Sequence, residues 1–305
     1  MKEVKHIKTF PGMKINELVN AMRNSGVMQA GKLALAVDIL EEMIKDKECK
    51  MFCGIAGAMV PGGMKQIIID MLNDKWIDVL VITGANLTHD LGESLGNKHY
   101  QGNENMDDAE LRDKGYDRIY NSLMPNKIYI NLEKFIKENF SELSKQETIK
   151  DFLFTLGRLA PENTIVNACY KNKIPIFCPA IADSGIGLMI WGQISQGKKT
   201  NVNAFEDLKD IIDIAWTSKK VGVFYIGGGV PKNFIQQAMQ LAPNKAQYGV
   251  QITTDPEYYG GSSGASLKEG ISWNKMNEKA KFVDLKLDAT VVLPIITAAL
   301  KDKFL

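Results

Sequence analysis

Cysteine, histidine and tryptophan are all scarce in this chain of 305 residues, and neither sign of charge prevails. Four cysteines (Cys49, Cys53, Cys169 and Cys178) are too few to staple a protein of this length, so a disulfide scaffold is excluded and a reducing, cytoplasmic setting is the simpler expectation. Cys49 and Cys53 are spaced either to share a helical face or to belong to a zinc site. The three histidines, His6, His89 and His99, are scattered and complete no recognisable ligand set, so no metal is expected. Lysine and arginine total 37 against 36 aspartates and glutamates, a formal charge of +1, which argues against a protein built to grip nucleic acid. No run approaches the ~18 apolar residues of a membrane-spanning helix. The best candidate, Val291 to Leu300, is short and interrupted by Pro294. The lysine-rich start, Met1 to Phe10, lacks the apolar stretch that a secretory signal requires.

What is present is the material of a globular α/β protein, 45% apolar and 24% charged. Gly31 to Asp46 has helical spacing in Leu33, Ala36, Val37, Leu40 and Ile44. Short apolar runs at 52–57, 77–83, 174–179 and 221–226 read as strands covered on both faces, with weaker candidates at 248–254 and 281–284. Helical patterns lie between them: a helix through Met71, then 132–140, 145–159, 204–217 and 232–241. This alternation predicts one doubly wound, Rossmann-like domain over 1–305, a parallel sheet with helices on both faces, preceded by a helical N-terminal extension over 1–48. The polar stretch Gly92 to Met124 is too long for a simple connection and reads as a functional loop or an insertion.

Ligands of open parallel sheets gather where strands end. Four exits carry unusual residues: Thr83-Gly84-Ala85-Asn86, Pro179 through Gly185, Gly227-Gly228-Gly229, and Thr253-Thr254-Asp255 before a loop rich in glycine and serine. Three glycines between a strand and a helix make a phosphate cradle or a tight structural turn, and the pattern alone leaves both open. Lys275 beside Trp273, with Glu269 upstream and a flexible loop before it, is placed to be a desolvated nucleophilic amine or an ordinary surface lysine. Asp288 suits a helix cap as well as a ligand contact. His89 and His99 suit acid–base work or structural hydrogen bonding.

Glu269-Gly270-Ile271-Ser272-Trp273-Asn274-Lys275, with Gly264-Ala265 before it, resembles the active-site signature of the deoxyhypusine synthase family. Ile226 through Lys232 is similar to that family's glycine-rich NAD segment. Asp288-Ala289-Thr290, Asp78 through Thr83 and Pro179 through Asp183 match in order. The resemblance implies NAD as cofactor, a homotetramer, and spermidine or a related polyamine as donor. Its butylamine part would pass through a lysine imine to an acceptor, a lysine of the hypusine-bearing translation initiation factor. It implies Lys275 as the imine-forming lysine, Trp273 and Glu269 as walls of the amine pocket, and Thr83, Gly84, Asp183, Gly227, Gly228, Thr254, Asp288 and Ala289 as cofactor contacts.

Departures from the family pattern fall on the substrate side. Asn233 stands where eukaryotic members have histidine, Leu188 and Ser262 replace two substrate-binding aspartates, and His89 takes the place of a catalytic glutamate. The N-terminal portion is also short. A site short of two carboxylates would bind spermidine weakly or take another amine, unless Asp255, Glu257 or a carboxylate from the 92–124 stretch compensates. Two other readings therefore stand beside the first: transfer to a small amine such as putrescine, giving homospermidine, or a non-catalytic NAD-binding partner of an active paralogue.

Overall fold

The computed structural model describes residues 1–304. Helices α1 (Ile15–Ser25) and α2 (Met28–Lys45) come first, parted by Gly26, whose φ of 69° lets its N–H return to the Met22 carbonyl and end α1. Then follow β1 (Cys49–Ile55), α3 (Lys65–Asn73), β2 (Val79–Ile82) and α4 (Gly84–Ser94). The segment beyond α4 forms β3 (Tyr100–Gln101), α5 (Asp108–Asp113), β4 (Tyr116–Ile119) and β5 (Ser122–Pro125). Next are α6 (Lys127–Leu143), α7 (Ile149–Leu159), α8 (Ile165–Asn172), β6 (Ile176–Phe177), α9 (Gly185–Ile194) and α10 (Ala204–Thr217). The order ends with β7 (Lys220–Ile226), α11 (Gly229–Leu241), β8 (Ala246–Ile252), the single turn α12 (Glu269–Ser272), β9 (Met276–Leu285) and α13 (Ala289–Phe304). The chain gathers into two compact units, Met1–Ile55 with the chain from Asp210 onward, and Ala56–Lys209, where the sequence reading treats 1–305 as one domain.

In the first unit, β1, β7, β8 and β9 lie side by side and all parallel. Two glycines show how it is covered. A Cβ on Gly54 of β1 would meet the Tyr225 and Ile235 side chains, so that position looks toward α11. A Cβ on Gly222 of β7, which is paired with Met51, would meet Met43 of α2. Residues 51 and 54 point to opposite faces of a strand, so α2 and α11 cover opposite faces, as expected. Covering on both sides explains why β7 reads as a continuous apolar run, with Val221 to Ile226 all buried. In the second unit, β2 and β6 pair in parallel through Leu80–Ile176 and Val81–Phe177.

Of the two readings of the 92–124 stretch, the structure has the insertion: after α4 ends at Ser94 it carries a sheet of its own, three antiparallel strands in the order β3-β5-β4, too short and too polar to show a period. Other expectations need correction. The helical extension starts only at Ile15; the residues before it lie outside regular structure. Cys49 and Cys53 sit on β1, not on a helix, and all four cysteines are buried and outside any disulfide. Burial pushes the thiols of Cys53, Cys169 and Cys178 well up, away from thiolate chemistry. Among the described residues no helix is long and apolar enough to cross a membrane.

The contact between α7 and α8 depends on Gly157, where an added Cβ would lie 2.3 Å from the backbone oxygen of Val166. Gly192 of α9 has nothing within 4 Å of such a Cβ. Opposite outcomes follow in urea unfolding. Gly157→Ala should cost about 1–3 kcal/mol, because backbone cannot give way. Gly192→Ala should be neutral or add about 0.5–1 kcal/mol through helix propensity.

Candidate active site

Lys275 follows α12 through a tight reversal. Asn274 takes the left-handed conformation at φ 57°, one that asparagine tolerates, and the Lys275 N–H returns to the Gly270 carbonyl at 2.8 Å. The turn folds Lys275 back beside Trp273, with Nζ 5.0 Å from the ring centroid. Both residues, with Glu269 and Asn233, line one cavity of about 340 Å³ whose other walls include Lys232, Gln236, Gln237 and Gln240. Partial burial lowers the Lys275 ammonium below its ordinary value, and Glu269 opposes that shift. The fall in pKa enlarges the neutral, nucleophilic fraction of the amine. The four residues assigned to lysine chemistry and amine binding in this unit are thus brought together.

The loop before them, predicted to be flexible, is tied down along its length. Lys232 is only 4% exposed, and its Nζ donates to the Ser262 and Ala265 carbonyls, each at 2.6 Å. Gln251 donates to Ala265 O at 3.0 Å, Lys286 to Gly264 O at 2.8 Å, and Asp284 accepts the Leu267 N–H at 3.1 Å. Burial lowers Lys232 to about 8 and raises Asp284, each partly offset by the other's charge.

The loop also closes over the glycine turn. A Cβ at Gly228 would fall 2.4 Å from the Ser263 Cα, and Ser263 Oγ accepts the Gly229 N–H at 2.7 Å. The first N–H of α11 is therefore engaged by the protein's own hydroxyl, and the glycine at 228 is required by that close approach. Gly227, at φ 76°, makes the reversal itself. Thr254 is exposed beyond β8, while its neighbour Thr253 is buried and accepts the Asp255 N–H at 3.1 Å. Asp288 caps α13, its Oδ1 accepting the Thr290 N–H at 2.8 Å and the Thr290 hydroxyl, which leaves Oδ2 for an outside donor; Ala289 beside it is buried. Exposed Thr254 and the Asp288 oxygen at a helix start are a donor and an acceptor of the kind that ribose hydroxyls need.

In the second unit, Thr83, Gly84 and Asp183 lie where β2 and β6 give way to α4 and α9. Gly84 is a contact glycine: a Cβ there would lie 2.6 Å from Ser184 Cβ, and one on Gly185 would lie 2.5 Å from Thr88 Cγ2. Thr88 Oγ1 bridges the two helix starts, donating to Gly84 O at 2.9 Å and accepting the Ile186 N–H at 3.2 Å. Asn86, buried, donates to Thr83 Oγ1 at 2.9 Å and to Gly57 O at 2.8 Å. His89, in the second turn of α4, has its Nδ1 2.9 Å from His99 Nε2.

Of the departures, Leu188 is 56% exposed on α9 and lines an apolar cavity of about 410 Å³ with Phe152, Ile181, Trp191 and Ile194. Ser262 and Asn233 line the lysine cavity, where Glu269 is the one carboxylate among the described residues. Asp255 and Glu257 do not line it, and Glu257 is instead 3.7 Å from Lys286. Lys232 is the residue that the sequence reading passed over. A cation in the first turn of a helix opposes the helix dipole, and that misplacement is the signal that something else holds it.

These features define a class: a parallel α/β protein with a glycine turn at a strand exit and a lysine set in an amide-rich cavity. A family model described as deoxyhypusine synthase matches residues 17–300. "Probable deoxyhypusine synthase 1" of Methanosarcina mazei is 39% identical over 302 residues, covering 98% of this chain and 95% of that one. "Probable deoxyhypusine synthase 2" of Archaeoglobus fulgidus is 40% identical over 281 residues, covering 89% and 93%. A crystal structure titled "putative deoxyhypusine synthase" from Entamoeba histolytica has the same fold, with a TM-score of 0.63 at 21% identity over 94% of this chain and 93% of that one. The chain belongs to the deoxyhypusine synthase family.

Lys232→Met would leave the Ser262 and Ala265 carbonyls without their donor, and should cost about 1–3 kcal/mol near pH 8. Because the folded state holds this lysine at about 8 against an ordinary 10.5, the unfolded chain binds more protons between those values. Wild-type stability should therefore gain on that of the variant as pH rises through that window, which urea titrations at pH 8 and 10 would show.

Proposed function

We propose that the protein is an NAD-dependent aminobutyl transferase, taking the butylamine group of spermidine onto Lys275 and passing it to an acceptor amine. The observation that carries this reading is one cavity lined by Lys275, Trp273 and Glu269. A polyamine is a chain of cations, and the cavity offers a carboxylate for one ammonium, an aromatic face for another, and amides from Asn233, Gln236 and Gln237 along the methylenes. When bound, NAD would accept a hydride from the carbon beside the secondary amine and return it after transfer. Gly227, Gly228, Thr254, Asp288 and Ala289 would hold it in this unit.

The chain's own part is covalent. The neutral Lys275 Nζ attacks the oxidised carbon, the C–N bond to the leaving amine breaks, and 1,3-diaminopropane departs with the proton that the lysine gives up. Lys275 then holds the butylamine as an imine. An acceptor amine attacks the same carbon and displaces the lysine. We propose a lysine of the hypusine-bearing translation initiation factor as acceptor, in the cytoplasm. The lone carboxylate favours a second reading of the acceptor step, transfer to a small diamine such as putrescine, since it leaves fewer fixed charges to demand one particular polyamine. A non-catalytic role gives no reason for Lys275, Trp273 and Glu269 to meet in one cavity. A homotetramer is also proposed, because Leu188, Trp191 and Ile194 expose an apolar face of α9 of the kind that subunit contacts cover.

Purified protein with NAD and spermidine, treated with borohydride, should carry an aminobutyl mass increment on the peptide that contains Lys275 and should release 1,3-diaminopropane. Lys275→Ala should reduce the label to background. Labelling of another residue, or none in protein that binds NAD, would overturn the assignment.

A further inference from the structure

Gln236 differs from the other amides of the lysine cavity. Asn233 is half-buried, Gln237 and Gln240 are exposed, and none of their side chains makes a hydrogen bond among the described residues. Gln236 is only 5% exposed, and its Nε2 donates to Tyr225 Oη at 3.1 Å. Tyr225 is fully buried on β7. Its ring has room because Gly54 of the paired strand lacks a Cβ, which would come 3.1 Å from Tyr225 Cδ1. Burial raises the phenol well above its ordinary value, so it stays a neutral hydroxyl. The glutamine is held from behind by a group that does not ionise.

The other end of the amide faces the nucleophile's turn. A Cβ on Gly270 would lie 3.5 Å from Gln236 Oε1 and 3.7 Å from Lys275 Cβ, so the oxygen sits against the turn that joins Glu269 to Lys275. No group of the described residues donates to this oxygen, whose amide is engaged only through Nε2. Yet it is not sealed in: the enclosed side-chain atoms that lack a partner are Asp90 Oδ1, Gln193 Nε2 and Gln251 Oε1. An unpartnered oxygen that is not enclosed, on a residue lining the cavity, is open to whatever the cavity holds. Lys232 and Lys275 wall the same space, and positive neighbours favour the oxygen end outward.

We propose that Gln236 is a specificity-determining residue, a fixed neutral acceptor for the second nitrogen of an amine whose first ammonium meets Glu269. The ligand class is a diamine or longer polyamine, told from a monoamine by this one bond. The inference rests on the aminobutyl-transfer reading and deepens it. In that reading a hydride leaves the carbon beside a neutral amine, not beside an ammonium. A carboxylate in this place would hold the ammonium form, whereas an amide oxygen accepts the N–H of either form. A carboxylate here would also favour the charged form of Lys275, which must spend time neutral to attack.

The test is calorimetric binding of butylamine and of putrescine, two amines with the same carbon chain, to purified protein without NAD. Gln236→Met should weaken putrescine roughly 10- to 100-fold, the share of a hydrogen bond to a charged group. Butylamine should bind it unchanged, which also shows that the variant is folded. Equal loss for the two amines, no loss, or tighter putrescine binding, as an amide turning its NH₂ group to the cavity would give, overturns the proposal. Gln236→Glu keeps the shape and decides the question if the methionine variant does not fold. It should bind putrescine more tightly than the wild type, and failure to do so also overturns the proposal. In turnover Gln236→Glu should lower KM for spermidine, lower kcat near neutral pH and move the kcat profile to higher pH; an unmoved profile counts against it. A wild type that binds both amines yet never labels Lys275 would defeat the aminobutyl reading instead, while the binding of the two variants would still decide the role of Gln236.

Discussion

The buried ammonium of Lys232 is the contact on which the lysine site is built. It sits at the start of α11, where the helix dipole opposes a cation, and it is held there by two loop carbonyls and the nearby Asp284 charge. Those carbonyls belong to the segment that closes over Gly228 and leads into α12. One side chain therefore joins the glycine turn, the loop and the turn carrying Glu269, Trp273 and Lys275. Lys275 shares its cavity and adds to the lowering of Lys232, while Glu269 opposes the lowering of both lysines.

The second unit solves a comparable problem with small residues. Two helices start side by side after parallel strands, and each start presents unpaired N–H groups. Gly84 and Gly185 let them approach, and Thr88 satisfies one N–H across the gap. A larger residue at either glycine would part the starts and move Thr83 and Asp183 with them. Glycine here is needed for contact rather than for an unusual φ.

Much of this was legible in the chain. Strands buried on both faces show themselves as unbroken apolar runs, so β1, β2, β6, β7 and β8 were placed to within a few residues. The helical period of α2, α7 and α10 was equally plain. What escaped has physical causes. β9 alternates buried and exposed positions among lysines, so only its apolar end reads as strand. α9 is apolar all round, with Leu188, Trp191 and Ile194 exposed, so it shows no helical stripe. At the site, Lys275, Trp273 and Glu269 were visible because they lie close together in sequence. Lys232 and Asp284 meet across a long break in sequence, and beyond the misplaced charge of Lys232 at a helix start no local pattern announces the pair. The resemblance to a family drew attention to His89 as a departure, but only geometry supplies the carboxylate behind it.

Both units weaken a positive group by burial and then set one carboxylate against it. Lys275 is lowered by desolvation and partly restored by Glu269; His89 is lowered by burial and by its neighbour His99, and Glu93 opposes that shift. The balance matters at Lys275. A lysine that forms an imine must spend time as a neutral amine, so its carboxylate must not be strong enough to hold the proton permanently. Glu269 is exposed and makes no close ion pair with Lys275, which suits that limit. In the second unit the carboxylate comes closer, with Glu93 2.7 Å from His99, which lies between it and His89. Contact distance, more than the kind of carboxylate, separates the two arrangements.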